Sequence, residues 1–126
     1  SITGTAQYEV NKLSAELGNA DVELVRKELG TEFDMIVHEP DGILEIGQAG
    51  HSKASGIERL CASLGIAKED TYAFGDSAND VEMLEFVAHG IAMGNGTDVA
   101  KNAAEFVTTD IHKDGIWNGL KHYGLI

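Results

Sequence analysis

The stretch "TYAFGDSANDVEML", residues 71–84, places a short apolar run directly before two carboxylates and an amide. The apolar run predicts the end of a buried strand, and Gly75 marks the break that follows it. A second apolar pattern predicts a helix over residues 78–88, with an inner face formed by Val81, Leu84, Val87 and Ala88. The acidic side chains are therefore expected on a turn between a strand and a helix.

Asp76, Asn79 and Asp80 have the spacing of neighbouring positions on one face of a helix. Oxygen ligands that meet at the carboxyl end of a strand suit a hard cation such as Mg²⁺, and open α/β sheets bind ligands at that edge. In the alternative interpretation, Asp76 or Ser77 only caps the helix and Asp80 is a favourable first-turn acid. Because one cap does not need so many polar groups after a glycine, we favour a ligand site.

Helical and strand-like patterns alternate on both sides of this turn. Helical spacing over residues 53–65, with Ser55 and Glu58 as a capping box, precedes the strand predicted at 71–74. After the turn come further predicted elements: a strand at 90–93, a helix at 97–104, a strand at 105–108 and a helix at 115–122. Such alternation is typical of βαβ units and predicts an α/β fold with a parallel sheet and flanking helices.

The amino-terminal part of the chain follows a different pattern. Apolar spacing over residues 6–29 predicts one helix or two short ones, and residues 33–38 and 43–46 are strand-like runs. The tetrapeptide "EPDG" between these runs predicts a hairpin turn in which Gly42 takes a positive φ. This combination predicts an α+β unit.

The glycine-rich stretch 47–51 lies between the two patterns and is the predicted boundary. We therefore expect one domain over residues 1–48 and a second over residues 49–126. The whole chain of 126 residues is long enough to form a hydrophobic core.

Lys53 lies in or just before the first turn of the helix predicted over 53–65, where the helix dipole disfavours a cation by about a few tenths of a kcal/mol. A solvated surface lysine is the simplest interpretation. If Lys53 lies beside the acidic turn, however, its ammonium and the first amides of the helix would form a binding site for an anion. Phosphate is the anion best suited to bind both the ammonium and the amides. Asn95, in the glycine-rich stretch 90–98, would reach a ligand at the same sheet edge, although an ordinary tight turn explains most of that stretch.

Composition restricts the classes of partner. The chain has 21 acidic and 9 basic residues and a formal charge of −12, which argues against a broad nucleic-acid-binding face. No apolar run approaches the roughly 20 residues of a membrane span, so we expect no membrane partner. The lone Cys61 cannot form an internal disulfide and is expected in the core of a cytoplasmic protein. Met35, Met83 and Met93 should fill the core as well, and Trp117 should pack against the protein.

Three segments together resemble the haloacid dehalogenase (HAD) superfamily, in its branch of Cof-like phosphatases with a large α+β cap of the C2 type. They are "HSKASGIERLCASLGI", "GDSANDVEML" and "GIAMGNGTDVAKNAAEFVTTDIHKDGI". The likeness is close over residues 51–122 and loose over residues 1–50. It implies the carboxyl-terminal part of a Rossmann-like core, preceded by the carboxyl-terminal half of a cap.

The resemblance also implies roles for single residues. Asp76 and Asp80 are the candidate metal ligands for Mg²⁺, although the resemblance also allows Asp80, with Asn79, to support the metal ligand from outside or to hold the phosphate. Together with Lys53, the two aspartates are the candidate catalytic residues. The candidate substrate-binding residues are Lys53, Asn79 and Asn95. At Asn95 the match is imperfect, because relatives commonly have G-N-A where this chain has G-N-G at residues 94–96. Family members attack small phosphate monoesters with an aspartate, and water then hydrolyses the aspartyl-phosphate. Charges placed at a strand end suit such phosphoryl transfer.

The chain departs from the family in one respect, because the Asp-x-Asp pair that supplies the nucleophile and the general acid is absent from this sequence. We therefore expect the carboxyl-terminal portion of a longer phosphatase for small phosphorylated metabolites, with sugar phosphates as the default substrates, and no turnover by this chain alone. The strand at 71–74 would then present an unpaired edge and an uncovered apolar face. We expect poor stability, or pairing with the missing amino-terminal half or with a second copy.

Functions of two other classes compete with this one. An EF-hand loop starting at Asp76 would need oxygen, glycine and glutamate where the chain has Ala78, Val81 and Val87, so that calcium module is excluded. A non-catalytic remnant or scaffold that binds a metal or a phospho-ligand stays open as an alternative, because the nucleophile is absent.

Overall fold

The computed structural model describes residues 12–16, 18, 21–38 and 42–126. It divides the chain into two compact units, residues 1–50 and residues 51–126. The division falls inside the glycine-rich stretch that separates the two sequence patterns. Among the described residues, each unit contains a three-stranded sheet.

The two strand-like runs of the first unit, together with a third strand, form an antiparallel sheet in the order β1–β3–β2. Its elements are β1 (Lys12–Glu16), α1 (Val22–Leu29), β2 (Phe33–His38) and β3 (Ile43–Gln48). The predicted hairpin is confirmed: Val37 of β2 lies opposite Leu44 of β3, and Leu44 is buried. Gly42 has the expected positive φ, at +63°, whereas the rest of the predicted turn, residues 39–41, lies outside the described residues.

The helical prediction for residues 6–29 is wrong over Lys12–Glu16, which forms β1. Leu13 of this strand lies opposite Ile46 of β3, so pairing with a strand distant in sequence overrides the local helical spacing. The remaining helix, α1, begins after Asp21, whose carboxylate accepts hydrogen bonds from two amides of its first turn. Among the described residues of the predicted helical segment, Val22–Leu29 alone is helical.

Strands and helices alternate through the second unit, and its strands are parallel in the order β4–β5–β6. Its elements are α2 (Lys53–Leu64), β4 (Tyr72–Gly75), α3 (Val81–Phe86), β5 (His89–Ala92), α4 (Asp98–Ala103), β6 (Phe106–Val107) and α5 (Gly115–His122). Short 3₁₀ turns lie at Lys68–Asp70, Ala78–Asp80 and Ile111–Lys113. The predicted α/β fold with a parallel sheet and flanking helices is confirmed.

The core of the second unit forms around β5, which lies between β4 and β6. Ile91 and Ala92 of this strand are fully buried, and Leu84 of α3 is buried beside them in the same unit. Met93 is buried as predicted, whereas Met35 and Met83, which were also predicted to fill the core, are only half-buried. The apolar patterns of the sequence therefore locate most of this core correctly.

Trp117 of α5 does not belong to the core, and the prediction that its side chain packs against the protein is wrong. Its side chain is 51% exposed, and Nζ of Lys121 lies 4.7 Å from the centre of its ring. Gly119 is the residue of α5 that approaches the sheet, since a Cβ there would lie 2.6 Å from the ring of Phe74. The close contact between α5 and the sheet is therefore made at Gly119 and not at Trp117.

The apolar stripe of α2 is exposed. Leu60 is 57% and Leu64 63% exposed, and Cys61 between them is half-buried rather than enclosed in a core. Among the described residues, β4 pairs with a strand on one side only. These exposed leucines do not mark a membrane helix, because no helix in the described part of the chain is long and apolar enough to cross a bilayer.

Candidate active site

The candidate site begins where β4 ends, at Gly75. A Cβ at this position would lie 2.6 Å from the Cβ of Asp80, so glycine lets the next turn fold back on the strand. Ser77 then caps a short 3₁₀ turn that ends at Asp80, and α3 follows this turn. The α-helix predicted over residues 78–88 is therefore shorter than expected, and Asp76 lies outside it.

The carboxylate of Asp80 is buried and accepts hydrogen bonds with both of its oxygens. Oδ2 accepts from the backbone N–H groups of Asp76 at 2.8 Å and Ser77 at 3.3 Å, and Oδ1 accepts from Nζ of Lys53 at 2.5 Å. Burial alone would raise the pKa of this carboxyl, but Lys53 and the two amides outweigh burial and hold the pKa below its ordinary value. Asp80 is therefore an anion at neutral pH.

The capping interpretation of the turn is correct in part, and the ligand-site interpretation stays a prediction. Ser77 and Asp80 form a capping box, as the capping interpretation requires. Asp76 and Asp80 do not share a helical face, because the Asp80 carboxylate turns back to the amide of Asp76 while Asp76 itself is exposed. Within the described ranges, no cluster of three or more His, Cys, Asp or Glu side chains is placed to hold a metal ion. Of the two predicted ligands, Asp80 is engaged by protein donors and Asp76 is open to solvent.

Lys53 is the first residue of α2, as predicted. Ser52 caps the helix: its Oγ accepts from the N–H of Ser55 at 3.2 Å, and Ser55 Oγ accepts from the N–H of Ser52 at 2.9 Å. The capping pair predicted at Ser55 and Glu58 is wrong, because the helix begins about one turn before that pair. The lysine side chain is 50% exposed, and its bond to Asp80 uses one of the three ammonium donors. The others are available to an anion.

The two candidate asparagines lie on different turns. Asn79 Oδ1 accepts from Ser77 Oγ at 2.5 Å, within the turn that follows β4. Asn95 Oδ1 accepts from the backbone N–H of Ile111 at 2.8 Å and so joins the turn after β5 to the segment after β6. In both residues the carbonyl oxygen is used by the protein, which leaves the –NH₂ group as the part that could donate to a ligand.

The turn after β5 also contacts Asp76 directly. The backbone N–H of Thr97 donates to the carbonyl oxygen of Asp76 at 2.8 Å. A Cβ on the preceding Gly96 would lie 3.0 Å from that oxygen. This contact was not predicted, although a glycine immediately before a helix cap is the sequence signal for such a close approach.

The structure thus brings together four of the five predicted site residues, Lys53, Asp76, Asn79 and Asp80, around one strand end. Asn95 lies on the adjoining turn. The site presents a half-exposed ammonium beside an exposed carboxylate. Such an arrangement can hold an anion next to a cation.

The chain belongs to the haloacid dehalogenase-like hydrolases, because the model of that family matches residues 3–120. An uncharacterized protein from the pdhA 5′ region of Geobacillus stearothermophilus is 54% identical over 78 residues, which cover 62% of this chain and 82% of that protein. YitU of Bacillus subtilis, a 5-amino-6-(5-phospho-D-ribitylamino)uracil phosphatase, is 42% identical over 84 residues, which cover 67% of this chain and 31% of YitU.

A solved structure agrees with this assignment. The HAD subclass IIB sugar phosphatase BT4131 matches 94% of this chain and 45% of its own, at 31% identity and a TM-score of 0.85. The predicted superfamily is confirmed by these matches. The chain spans less than half the length of YitU and of BT4131.

Proposed function

We propose that this chain supplies the lysine and the metal-binding aspartate of a Mg²⁺-dependent phosphatase that hydrolyses small phosphate monoesters. The reaction passes through an aspartyl-phosphate, and the nucleophile comes from a polypeptide segment outside this sequence. In that enzyme, residues 1–48 are the second half of an α+β cap and residues 49–126 are the last part of the α/β core. We place the enzyme in the cytoplasm, where a lone cysteine stays reduced.

The observation that carries this proposal is the arrangement around Asp80. Its carboxylate holds the ammonium of Lys53 at 2.5 Å and the amide of Asp76 at 2.8 Å. One buried anion therefore fixes a cation and the backbone of Asp76, whose side chain is exposed, at the same strand end. Phosphoryl transfer needs charges placed in this way more than it needs elaborate covalent chemistry.

The donor set of this strand end fits magnesium. Mg²⁺ is held in proteins by one or two carboxylates together with waters and substrate phosphates. Asp76 offers an exposed carboxylate, whereas both oxygens of Asp80 already accept from N–H groups. We therefore assign Asp76 as a direct ligand and Asp80 as the residue that orients it. When bound, Mg²⁺ supplies charge neutralisation and polarises a phosphoryl oxygen.

The remaining site residues would bind the phosphate. Lys53 retains ammonium donors after its bond to Asp80, and α2 begins at the same residue with its first amides unpaired within the helix. Asn79 and Asn95 can add donors through their –NH₂ groups. Together these groups would neutralise and align a phosphoryl group.

The substrate class is inferred from the relatives. YitU is named for a phosphorylated ribityl compound, and BT4131 is described as a sugar phosphatase. We propose a small phosphorylated metabolite of the sugar-phosphate class for this chain. The formal charge of −12 argues against nucleic acid as a partner.

The partner that completes the site would be a polypeptide segment carrying an Asp-x-Asp pair, since this sequence has none. A second copy of the chain could cover the same exposed surfaces but would not bring the nucleophile. The absence of the pair also supports the second candidate function, a remnant that binds a metal or a phospho-ligand without turnover. The two candidate functions make different predictions: adding a segment with an Asp-x-Asp pair should restore hydrolysis if the chain is part of a phosphatase, and should not restore it if the chain is a remnant.

The test measures Mg²⁺-dependent hydrolysis of an aryl phosphate by this chain alone and by a chimera. In the chimera, the part of YitU that the chain does not match is joined to it. We expect no activity from the chain alone, activity from the chimera, and loss of that activity in the chimera carrying Asp76→Ala.

Activity of the chain alone that disappears with Asp76→Ala would overturn the proposed source of the nucleophile. A folded chimera that binds Mg²⁺ and phosphate without turnover would instead support the remnant. Glu58→Gln, on the exposed side of α2, is the matched control for a change of charge outside the site.

A further inference from the structure

We propose that Ile111 is a positioning residue for Asn95. The backbone N–H of Ile111 holds the oxygen of the Asn95 side-chain amide, and this contact leaves the –NH₂ group of the amide to bind an anion. The segment after β6 would thereby make Asn95 a donor to phosphate. The inference rests on the proposed function in one respect, namely that the anion is the phosphate of the substrate.

An asparagine amide can meet a ligand with either of its two ends. Its oxygen only accepts hydrogen bonds and would repel the oxygen of a phosphate, whereas its –NH₂ group donates. A rotation of about 180° around the last side-chain bond exchanges the two ends. Packing does not prevent this rotation in an exposed side chain such as that of Asn95. The hydrogen-bond partner of the amide therefore determines which end is left for a ligand.

The partner of Asn95 is a group that can only donate. Oδ1 of Asn95 accepts from the backbone N–H of Ile111 at 2.8 Å. If the amide were reversed, two N–H donors would face each other and this hydrogen bond would be lost. Asn79 differs, because its partner is the hydroxyl of Ser77, which can donate or accept and so fits either end of an amide. Of the two candidate asparagines, Asn95 is the one whose amide direction is set by a backbone donor.

The N–H of Ile111 is itself held in place within the segment after β6. The N–H of Lys113 donates to the carbonyl oxygen of Asp110 at 2.8 Å, which closes a turn around Ile111. Nδ2 of Asn118 in α5 donates to the carbonyl oxygen of Lys113 at 3.0 Å and ties this turn to the helix. These contacts do not involve Asn95. The segment after β6 therefore orients the asparagine, and not the reverse.

The turn that carries Asn95 lies beside the candidate site. The N–H of Gly94 donates to the carbonyl oxygen of Thr109 at 3.1 Å, which joins the start of this turn to the segment after β6. Two residues after Asn95, the N–H of Thr97 donates to the carbonyl oxygen of Asp76 at 2.8 Å. The turn is thus held between the segment after β6 and the residue that we assign as the magnesium ligand. Asn95 therefore lies at the edge of the sheet where the phosphate would bind.

The experiment uses the full 126-residue chain with Mg²⁺ and inorganic phosphate as probes, and an NMR titration gives the phosphate affinity. Ile111→Pro removes the N–H donor. The backbone suits proline here, because Ile111 begins the 3₁₀ turn Ile111–Lys113 and the preceding Asp110 has a φ of −56° and a ψ of 150°. Ile111→Ala is the reference for this variant, since both lose the isoleucine side chain and proline also lacks the N–H.

We expect Ile111→Pro to bind phosphate about two- to tenfold more weakly than Ile111→Ala, the range that one hydrogen bond contributes. Asn95→Ala should weaken binding at least as much. The double variant Asn95→Ala/Ile111→Pro should bind no more weakly than Asn95→Ala, because the N–H of Ile111 acts only through Asn95. Equal phosphate affinities of Ile111→Pro and Ile111→Ala, or losses that add in the double variant, would overturn the inference.

Asn95→Asp tests the direction of the amide without a change at Ile111. An aspartate still accepts from the N–H of Ile111 but has no donor, so phosphate should bind more weakly than to Asn95→Ala. Hydrogen exchange should show that the Ile111 amide stays protected. Phosphate binding equal to wild type would show that the –NH₂ group is not the part that binds, and the inference would fail. This variant also decides the inference if proline disturbs the fold, which a loss of protection at the Gly94 amide would reveal.

A wild-type chain that does not bind phosphate would count against the phosphate-binding part of the proposed function. The ligand-free spectra would then decide whether Ile111 orients Asn95. Greater mobility of the Asn95 –NH₂ group in Ile111→Pro than in Ile111→Ala would support this orientation. Equal mobility in the two variants would show that Ile111 does not position Asn95.

Discussion

The ammonium of Lys53 lies 2.5 Å from the carboxylate of Asp80, although the two residues are 27 positions apart in sequence. Lys53 begins α2, and Asp80 ends the 3₁₀ turn that precedes α3. The Asp80 side chain is 6% exposed and the Lys53 side chain 50% exposed, so solvent screens only one partner of this ion pair. The pair therefore joins the first turn of α2 to the turn that follows β4.

Replacing Asp80 by asparagine is expected to destabilise the second unit. The amide keeps the size of the side chain but loses the charge that Lys53 and the two backbone N–H groups stabilise. Hydrogen bonds to a charged group contribute about 1.5–3 kcal/mol, so Asp80→Asn should lower the free energy of unfolding by an amount in that range. Urea denaturation measures the difference.

Asp70→Asn, at an exposed position of the same unit, is the control for the change of charge. It should leave the free energy of unfolding within about 0.5 kcal/mol of the wild-type value. An equal loss in Asp80→Asn and Asp70→Asn would contradict a specific role for Asp80.

The contacts of Asp80 show which features of the candidate site could be predicted from the sequence and which could not. The spacing of Asp76, Asn79 and Asp80 predicted a polar site after β4, and the structure brings these residues together there. The spacing did not predict that the Asp80 carboxylate turns back to the N–H of Ser77, because a 3₁₀ turn in place of an α-helix changes the direction of the Asp80 side chain. The direction depends on Gly75, which lets the turn fold back on the strand.

The sequence predicted secondary structure and burial correctly where they depend on the local pattern. It failed where contact with a segment distant in sequence determines them. The strand Phe33–His38 and the helix Gly115–His122 have the predicted bounds. Lys12–Glu16 was predicted as helix because its apolar spacing allows one, yet it pairs with β3. The burial of Trp117 failed for a related reason, since only tertiary contact shows that Gly119 approaches the sheet.

Two glycine-to-alanine substitutions in the second unit should change stability in opposite directions. A Cβ on Gly90 would lie 2.3 Å from the carbonyl oxygen of Leu84, a backbone atom, so Gly90→Ala should cost about 1–3 kcal/mol. A Cβ on Gly56, inside α2, meets nothing within 4 Å. Gly56→Ala should therefore stabilise the chain by about 0.5–1 kcal/mol through helix propensity.

Thermal and urea denaturation of the wild type and the two variants measure these changes. Each variant serves as the control for the other, because the chemical change is the same. A stabilised Gly90→Ala, or a Gly56→Ala that unfolds more easily than the wild type, would contradict the packing described around these glycines.

Tyr123 should make the stability of the second unit depend on pH in the alkaline range. Its hydroxyl donates to Oε2 of Glu105 at 2.8 Å, and Nδ1 of His89 lies 2.9 Å from the same oxygen. Burial, followed by the hydrogen bond to Glu105 and the charge of that residue, raises the pKa of Tyr123 to about 12. An unfolded tyrosine titrates near pH 10, roughly.

A pKa raised in the folded state means that the protonated form is stabilised by folding. The contribution of Tyr123 should therefore be complete below about pH 10 and be lost as the pH rises to about 12. Because the site is largely exposed, the contribution should not exceed about 1 kcal/mol. Tyr123→Phe should be less stable than the wild type at pH 8, roughly, and the difference should shrink at higher pH. A difference that stays constant through this range would contradict the assignment.

The exposed stripe of α2 should make the chain self-associate. Leu60 and Leu64 are 57% and 63% exposed, and β4 of the same unit has an unpaired edge among the described residues. Contiguous apolar surface and free strand edges both favour association. Sedimentation velocity should therefore detect dimers or larger species that dissociate on dilution, and Leu64→Glu should shift the chain toward monomer.

Ser63→Glu, at an exposed position beside Leu64, adds the same charge without removing apolar surface. It should leave association closer to wild type than Leu64→Glu does. A wild-type chain that stays monomeric, and whose urea denaturation is as steep as that of an ordinary domain of 126 residues, would contradict the expectation that it needs a partner. The steepness is decisive because it scales with the surface that unfolding exposes, and a unit with an uncovered helix has less surface to expose.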